Sequence, residues 1–412
     1  MKVLIKSIAR LVQTTSATAP VKGKDMSHLP LIENAWLLIN DDRIEDLGTM
    51  DNCPENADII IGAEGKMVFP CWCDSHTHLV YAGSREMEFV ERIKGATYEQ
   101  IAKKGGGILN SAKKLNQTSE EELLEQSLPR LKEIMMMGTG AVEIKSGYGL
   151  TVEGELKMLR VIKKLKSLSP LTIKATFLGA HAIPEEFKAN RKKYLDLITK
   201  EMLPAIKEER LADFIDVFCD KGFFTPEETD TILQAGAAIG LRPKIHANEL
   251  GLTGGVQAGV KNNALSVDHL EHVGEEEIHA LLHSDTIPTL LPSTAFFLGL
   301  KYAPARKLIQ SGLPVALASD YNPGSSPSGN MPFVLSLACL YMKMTPEEAI
   351  HAATINGACA MDVQNELGSI AKGKKANVFI TKKIPSVAFL PYAFGSNLID
   401  TVIINGKVQT GE

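Results

Sequence analysis

The sequence lacks the features that mark membrane, secreted and nucleic-acid-binding proteins. No run approaches the roughly 20 apolar residues that a membrane span needs, and the N-terminal "MKVLIKSIARLVQ" carries charges where a signal peptide has an apolar core. The six cysteines are scattered and give no disulfide framework, and with 14 methionines they are typical of an intracellular protein. No basic tract stands out against a net charge of -5. We therefore expect a cytoplasmic protein that binds neither nucleic acid nor membrane.

The two ends of the chain share one pattern. Short strand-like runs such as "AWLLIN" and "ADIIIG" fill residues 1–66, and "ANVFITK" and "DTVIINGKV" fill the last forty-odd residues, with turns rich in Asp, Gly and Asn between them. Neither end offers enough apolar surface to form a core alone. We therefore predict one small β-sandwich domain that combines 1–66 with 367–412.

The central part, 67–366, alternates apolar strand-like segments with helical ones. Helical patterns include "EEELLEQSLPRLKEIMMM" and "TPEETDTILQAGAAIG", the second with Thr225 as N-cap and Pro226 at the first helical position. Eight strands are predicted, at 67–76, 140–147, 172–181, 214–220, 243–248, 264–272, 286–293 and 314–320. Buried strands alternating with helices imply a parallel sheet, and eight such units predict a TIM-type (β/α)₈ barrel of the α/β class. A doubly wound open sheet is the alternative, but the glycine-rich "KKGGGI" follows a helix and not the first strand.

Most of the ten histidines fall at the predicted C-terminal ends of these strands, where barrel enzymes place their chemistry. In "DSHTH" the alternation of a strand puts His76 and His78 on one face, a spacing that allows both to bind one metal ion. Together with His246 and Asp320 they form a candidate metal shell of three histidines and a carboxylate that leaves room for a water. A metal ion would lower the pKa of that water toward about 7.

Other strand-end residues are candidates for catalysis and binding. His269 is placed to stabilise an oxyanion or hold the water, and Glu249 to move a proton. Arg85, in the loop after the first strand, is either a fork for a carboxylate or a structural salt bridge, and Arg92 and Tyr98 are weaker candidates in the same loop. The remaining histidines are expected in ordinary structural positions, in a loop, on a solvated helix face or within the packing of the fold: His28, His272, His279, His283 and His351.

The Asp-x-His-x-His motif, the later strand-end histidines and the final aspartate resemble the amidohydrolase superfamily. Within it, "DSHTHLVYAGSREMEF", "EIKSGYGL", "TFLGAHAIP", "KIHANEL", "SVDHLEH" and "ASDYNPGSSPSGNMPF" resemble the imidazolonepropionase family of histidine degradation, and the similarity covers essentially the whole chain. One departure is "PCWCD", where a glycine-containing approach to the aspartate is commoner.

The resemblance implies a reaction and a set of roles. The substrate would be 4-imidazolone-5-propanoate, whose cyclic amide is hydrolysed to N-formimidoyl-L-glutamate. Metal ligands would be His76, His78, His246 and Asp320; catalysis would involve Glu249, His269 and Asp320; substrate contacts would come from Arg85, Tyr98, Tyr148, His181, Glu249, Asn322, Gly324 and Ser325.

The resemblance also bears on the metal ion and the assembly. Many superfamily members bridge two metals with a carboxylated lysine, but Lys145 lies in a loop-like run, so we expect one ion per subunit, Zn²⁺ or Fe³⁺. A homodimer is the expected assembly. The alternatives are an aminohydrolase acting on a guanine- or cytosine-like base, which would not need Arg85, and a barrel that serves as a scaffold without catalysis.

Overall fold

The computed structural model describes residues 1–96, 100 and 106–410 and contains two sheets. Among these residues no helix is long and apolar enough to cross a membrane. One sheet is built from both ends of the chain, and the other forms a parallel barrel from the middle of it. The predicted (β/α)₈ barrel with a smaller β unit from the termini is therefore confirmed.

The terminal sheet is mixed, and its strands come from both ends of the chain. Strands β1 and β2 pair antiparallel, as do β15 and β16, whereas β1 pairs in parallel with both β4 and β5. Its eight strands are β1 (Lys2–Val12), β2 (Leu31–Asn40), β3 (Arg43–Thr49), β4 (Ile59–Gly62), β5 (Met67–Pro70), β15 (Val378–Thr381), β16 (Ile399–Ile404) and β17 (Lys407–Val408).

The barrel strands run in chain order around the sheet, each parallel to the next. The fifth predicted strand is interrupted at Lys244 and forms two short pieces. The strands are β6 (Trp72–Thr77), β7 (Thr139–Lys145), β8 (Thr172–Ala180), β9 (Phe214–Cys219), β10 (Arg242–Pro243), β11 (Ile245–Ala247), β12 (Ser266–His269), β13 (Ile287–Leu290) and β14 (Ala316–Leu317).

The first predicted strand, 67–76, is two strands in different sheets. Pro70 ends β5 and has no N–H to continue the ladder. The next N–H, of Cys71, donates to Asn377 O in the terminal sheet (3.0 Å), and that of Trp72 donates to Gly138 O in the barrel (2.9 Å). The chain thus changes sheets at Cys71, and the division into 1–66 plus 367–412 and 67–366 stays a prediction.

The barrel closes beside the candidate metal ligands. Thr77 at the end of β6 forms a parallel bridge with Tyr321, just beyond β14. His78 N donates to Tyr321 O (2.9 Å), and Asp320 N donates to His76 O (3.0 Å). These closing bonds place Asp320 next to His76 and His78, although they lie about 240 residues apart in the chain.

Helices surround the barrel and cap its end. Both predicted helices are present, at Glu120–Met136 and Pro226–Ala237, and Thr225 forms a capping box with Glu228 at the start of the second. The other α-helices are Glu86–Ile93, Ile108–Gln117, Val152–Leu168, Arg191–Leu197, Leu203–Glu209, Gly255–Lys261, Glu275–Leu282, Pro292–Leu298, Ala305–Gln310, Met331–Met342, Pro346–Ala353, Ile355–Cys359 and Phe389–Tyr392.

Candidate metal centre and active site

The four predicted metal ligands lie together at the C-terminal end of the barrel. The Nε2 atoms of His76 and His78 are 3.4 and 3.6 Å from Asp320 Oδ1, and His246 Nε2 is 3.5 Å from His78 Nε2. All four residues are buried. His76 belongs to two overlapping sets of possible ligand atoms within 4.8 Å of one another, one with His78 and Asp320 and one with His246 and His269. The sequence spacing therefore predicted a real cluster.

The chemistry of this cluster fits a metal ion. The buried Nε2 of His76 has no hydrogen-bond partner among the described residues, while its Nδ1 donates to Asp268 Oδ2 at 2.6 Å, which leaves a lone pair on Nε2. Burial above all, and the cationic groups nearby, lower the pKa of His76 and His78 well below the usual histidine range. Neutral imidazoles beside a carboxylate are the donors that zinc and iron accept.

A second layer of carboxylates and hydroxyls holds the ligands in place. Asp216 Oδ2 lies 3.0 Å from His246 Nδ1, as Asp268 lies beside His76. Thr294 Oγ1 donates to Asp320 Oδ2 at 2.6 Å, so that Oδ1 faces the histidines. Such contacts fix the tautomer and orientation of a metal-binding histidine.

A closed set of ion pairs lies beneath the candidate ligands, and we call it the floor network. Its members are Glu143, Lys145, Asp216, Lys244 and Asp268. Lys145 Nζ lies 2.6 Å from Glu143 Oε1, 2.8 Å from Asp216 Oδ2 and 3.6 Å from Asp268 Oδ2. Lys244 Nζ pairs with Glu143 and donates to Ser75 O at 2.9 Å. All five side chains are fully buried.

The floor network corrects one expectation from the sequence. Lys145 does not lie in a loop: it is the last residue of β7 and is fully buried. Burial favours the neutral amine, but the carboxylates of Asp216, Glu143 and Asp268 outweigh it and raise the pKa of Lys145. Its Nζ is held by the carboxylates of Glu143 and Asp216, so its position in the floor network does not favour a carboxylated bridge between two metals.

His269 stands between the metal cluster and two acidic side chains. Its Nδ1 lies 3.7 Å from Glu249 Oε2 and 3.7 Å from Glu271 Oε1. Burial opposes the imidazolium, but the two glutamates and Asp320 outweigh it and raise the pKa of His269 to about 10. Burial raises the pKa of Glu249 despite the opposing charge of His269. The pair combines a cationic donor with a carboxyl group able to carry a proton.

The backbone around these residues is strained. His269 and Asp320 have φ values of 86° and 52°, and Asn248, two residues after His246, has 60°. Left-handed conformations of non-glycine residues cost of order 1–3 kcal/mol each and cluster at functional sites. Here they turn the strand-end side chains toward one point.

His181 and Tyr148 line the wall beside His78. His181 Nδ1 lies 2.9 Å from Gly147 O, and since a carbonyl only accepts, Nδ1 carries the proton and Nε2 a lone pair. Burial, followed by the charge of His246, lowers the pKa of His181 to about 3. The ring of Tyr148 lies 5.4 Å from that of His181. A neutral His181 thus offers a hydrogen-bond acceptor to a ligand rather than a positive charge.

Three charged side chains, Arg85, Glu88 and Arg92, lie at the outer end of the cavity beside Gly324. We call these four residues the mouth cluster. Glu88 Oε2 accepts from Arg85 Nε (2.9 Å) and NH2 (2.6 Å), and Arg92 NH2 donates to Gly324 O (3.0 Å). The side chains of Arg85 and Glu88 remain 12% and 15% exposed. Arg85 therefore makes the structural salt bridge and lines the cavity as well.

Asn322, Gly324 and Ser325 form a turn against the mouth cluster. Asn322 Oδ1 accepts from Gly324 N and Ser325 N (2.8 Å each), and its Nδ2 donates to Asp320 O and Ser325 Oγ (2.7 Å each). The amide of Asn322 is thus occupied in shaping this turn. A direct substrate contact from that side chain stays a prediction.

A cavity of about 610 Å³ joins the metal cluster to the mouth cluster. Predicted residues that line it are His78, Arg85, Arg92, Tyr148, His181, His246, Glu249, His269, Asp320, Asn322, Gly324 and Ser325. The sequence reasoning missed Glu88, Phe218, Phe223, Leu298 and Leu300, which also line it. Tyr98 lies outside the described residues. The remaining wall is largely apolar, as expected for a site that binds a small ring.

The histidines set aside in the sequence belong to neither set of possible ligand atoms among the described residues. His279 and His283 are exposed, with ring centroids 4.4 Å apart on one helix face. His351 is buried between Gln13 Nε2 and His28 O, each 3.0 Å away. His272, beyond β12, faces Glu249 O with its Nδ1 (3.1 Å). Their ordinary structural positions are confirmed.

Sequence comparison identifies relatives over the full length of the chain. The model of the amidohydrolase family matches residues 67–409. The chain is 61% identical to the imidazolonepropionase of Flavobacterium johnsoniae, covering 99% of this chain and 100% of that one. It is 58% identical to that of Christiangramia forsetii, with the same coverage, and 45% identical to that of Alkaliphilus oremlandii, covering 98% and 97%.

Structure comparison adds more distant proteins of the same fold. A triazine hydrolase variant superposes with a TM-score of 0.75 at 17% identity, covering 99% of this chain and 94% of that one. A. niger ochratoxinase gives a TM-score of 0.71 at 16% identity, covering 99% and 95%. At these identities the likeness shows the fold alone. The sequence relatives show more: the chain belongs to the amidohydrolase family, and its predicted resemblance to the imidazolonepropionases is confirmed over almost its whole length.

Proposed function

We propose that the cavity binds 4-imidazolone-5-propanoate and hydrolyses its cyclic amide to N-formimidoyl-L-glutamate. The chain is a hydrolase of C–N bonds by its family and relatives. One observation supports the specific substrate: a single cavity has the metal cluster at its inner end and Arg85 at its outer end. A small ring with an anionic tail matches both ends.

The metal cluster supports one ion per subunit, held by His76, His78, His246 and Asp320. A metal ion bound there supplies Lewis acidity, which lowers the pKa of water and polarises a carbonyl group. Both sets of possible ligand atoms share His76, and because its Nδ1 donates to Asp268, only Nε2 remains for an ion, which favours a single position. The donors accept Zn²⁺ or Fe³⁺.

The proton movements are assigned to three side chains. Asp320 accepts the proton of the attacking water, since Thr294 donates to its other oxygen and leaves Oδ1 toward the histidines. His269, as imidazolium, donates to the oxygen of the ring carbonyl as negative charge develops there. Glu249, beside His269, delivers a proton to the ring nitrogen as the C–N bond breaks.

Binding is divided between the ring and the tail of the substrate. Arg85 lines the cavity, and the N–H groups that Glu88 does not engage suit the propanoate carboxylate by a charge-assisted hydrogen bond. His181 Nε2, with its lone pair, suits a ring N–H of the substrate. Tyr98, Tyr148, Asn322, Gly324 and Ser325 complete the proposed substrate contacts. A homodimer in the cytoplasm remains the expected setting.

A turnover assay tests this function. Purified metal-loaded protein is mixed with freshly prepared 4-imidazolone-5-propanoate, and the loss of imidazolone absorbance is followed beside guanine and cytosine as competing substrates. We expect turnover of the imidazolone alone. Turnover of either base in its place would support the aminohydrolase alternative, and turnover of none would support a scaffold.

A further inference from the structure

Glu88 has no role in the proposed reaction, yet both of its carboxylate oxygens are engaged at the mouth of the cavity. Oε2 accepts from Nε and NH2 of Arg85, three residues earlier at the start of helix Glu86–Ile93. Oε1 accepts from Gly107 N at 3.0 Å, where helix Ile108–Gln117 begins. Glu88 therefore ties Arg85 to a second element of the cavity wall.

This contact decides which edge of Arg85 meets a ligand. Of the five N–H groups of a guanidinium, Glu88 engages one on Nε and one on NH2. NH1 lies against Gly324, so close that a Cβ on that glycine would be 2.1 Å away. Among the described residues NH1 has no hydrogen-bond acceptor. The N–H groups of Arg85 that Glu88 leaves unused are therefore the ones that remain for a ligand carboxylate.

The mouth cluster has one positive charge in excess, which one negative charge on a ligand would neutralise. Arg85 and Arg92 carry two positive charges, and Glu88 carries one negative charge. Arg92 is further held over the ring of Phe297, 5.0 Å from its centroid, so that both guanidinium groups stay at the mouth. A ligand with one carboxylate neutralises the group, whereas a dianion leaves an uncompensated negative charge in a partly buried site, which is costly.

We propose that Glu88 is the specificity-determining residue of the mouth cluster and restricts the ligand to a monoanionic tail by holding Arg85 and offsetting one positive charge. The proposal rests on the proposed function, since it concerns the tail of that substrate. Glu88 thereby distinguishes a monoanionic tail from a dianionic one, which Arg85 alone does not do. Without Glu88, two guanidinium groups would favour a dianion over a monoanion.

The test compares two ligands that differ in the charge of the tail. Metal-loaded wild-type protein and Glu88→Gln are titrated by calorimetry with imidazole-4-propanoate and with 2-(imidazol-4-yl)ethylphosphonate, at a pH where the phosphonate carries two charges. Wild type should prefer the carboxylate. Glu88→Gln should shift the ratio of the two Kd values toward the phosphonate by roughly tenfold, the order of one charge-assisted hydrogen bond. An unchanged ratio overturns the proposal.

Two further variants separate charge from structure. Glu86→Gln lies on the same helix, is exposed and does not contact Arg85, so its ratio should equal that of wild type. Glu88→Asp keeps the negative charge on a shorter side chain, so its ratio should stay near wild type even where both ligands bind more weakly. A ratio that moves in Glu88→Asp as it does in Glu88→Gln contradicts the charge argument.

The outcome also separates this inference from the proposed function. If wild type binds neither ligand, the proposed substrate is wrong and the inference falls with it. If wild type binds the carboxylate and the ratio does not respond to Glu88→Gln, only the inference is wrong. Metal content and melting temperature, measured on each variant, show that every protein compared is folded and loaded.

Discussion

The floor network and the mouth cluster are both built from salt bridges, but they differ in burial and in unused hydrogen-bonding capacity. In the floor network, three carboxylates and two lysines are fully buried, and they contact one another and the histidines proposed as metal ligands. In the mouth cluster, Arg85 and Glu88 are partly exposed, and Arg85 lines the cavity with N–H groups that Glu88 does not engage.

The difference indicates a division of labour within one cavity. A fully paired and buried network has one arrangement, since moving any member leaves an uncompensated charge. It therefore suits the task of holding ligands at fixed positions. A partly exposed pair with unused donors costs less to rearrange than a fully buried network and retains capacity for a ligand. Changes at the floor should affect metal binding and stability, and changes at the mouth should affect substrate binding.

The largest effect is expected for His246→Ala. It removes one of the four proposed metal ligands and leaves Asp216 without its histidine. Bound metal and turnover should be lost together, as measured by elemental analysis and the imidazolone assay. His283→Ala, an exposed histidine, is the control and should change neither. Stoichiometric metal with near-normal turnover in His246→Ala would exclude it as a ligand.

The next effect is expected for Lys145→Met, which keeps the length of the side chain and removes the charge that Glu143 and Asp216 share. Breaking a buried ion pair on one side costs about 3–5 kcal/mol, and urea unfolding should show a loss of this order. Lys66→Met is the control, because its pair with Asp400 is partly exposed at 26% and 37%; there the loss should stay within about 1 kcal/mol. Equal losses of unfolding free energy in the two variants would mean that the buried ion pairs of the floor network stabilise the fold no more than an exposed pair does.

Asp320→Asn should lower kcat by at least the roughly 10² that a general base contributes. The amide keeps the size and one oxygen, so metal binding should weaken but recover when metal is added. It removes the carboxylate that accepts the proton of water. The measurement is kcat at full metal occupancy. Full activity there would mean that Asp320 serves only as a ligand and that the proton moves through His269 or Glu249.

At the mouth, Arg85→Met should raise KM while leaving bound metal unchanged. The lost charge-assisted contact is worth on the order of 1.5–3 kcal/mol, or roughly ten- to a hundredfold in KM. Steady-state kinetics and elemental analysis check both parts. If the Glu88 salt bridge is the whole role of Arg85, the melting temperature will fall while KM stays the same.

Histidines at the ends of apolar strands were the most informative residues of the sequence, because core packing alone seldom places so many of them there. Their positions led to His76, His78 and His246, which the structure brings together. The alternation of a strand correctly placed His76 and His78 on one face. Pairing the two chain ends into one β unit was also correct, because their strands had no other core to complete.

The features of the site that the sequence did not predict depend on contacts between segments distant in the chain. Asp216 and Asp268 lie within apolar strands, "FIDVF" and "SVDHL", where a buried carboxylate needs a partner, and that signal alone could have indicated the floor network. Lys145 looked like a loop residue because its partner Asp216 is 71 residues away. Glu88 reads as an ordinary acidic residue in the first turn of a helix, and only the fold brings Gly107 N to its carboxylate.

A titration of metal against turnover tests most directly whether one metal ion per chain supports the hydrolysis. Metal-free protein is prepared with a chelator, zinc or iron is added back in steps, and turnover of 4-imidazolone-5-propanoate is measured at each ratio of metal to chain. We predict no turnover without metal, a linear rise and a plateau at one ion per chain. Turnover in the metal-free protein, or a plateau at two ions per chain, would contradict the single-metal site.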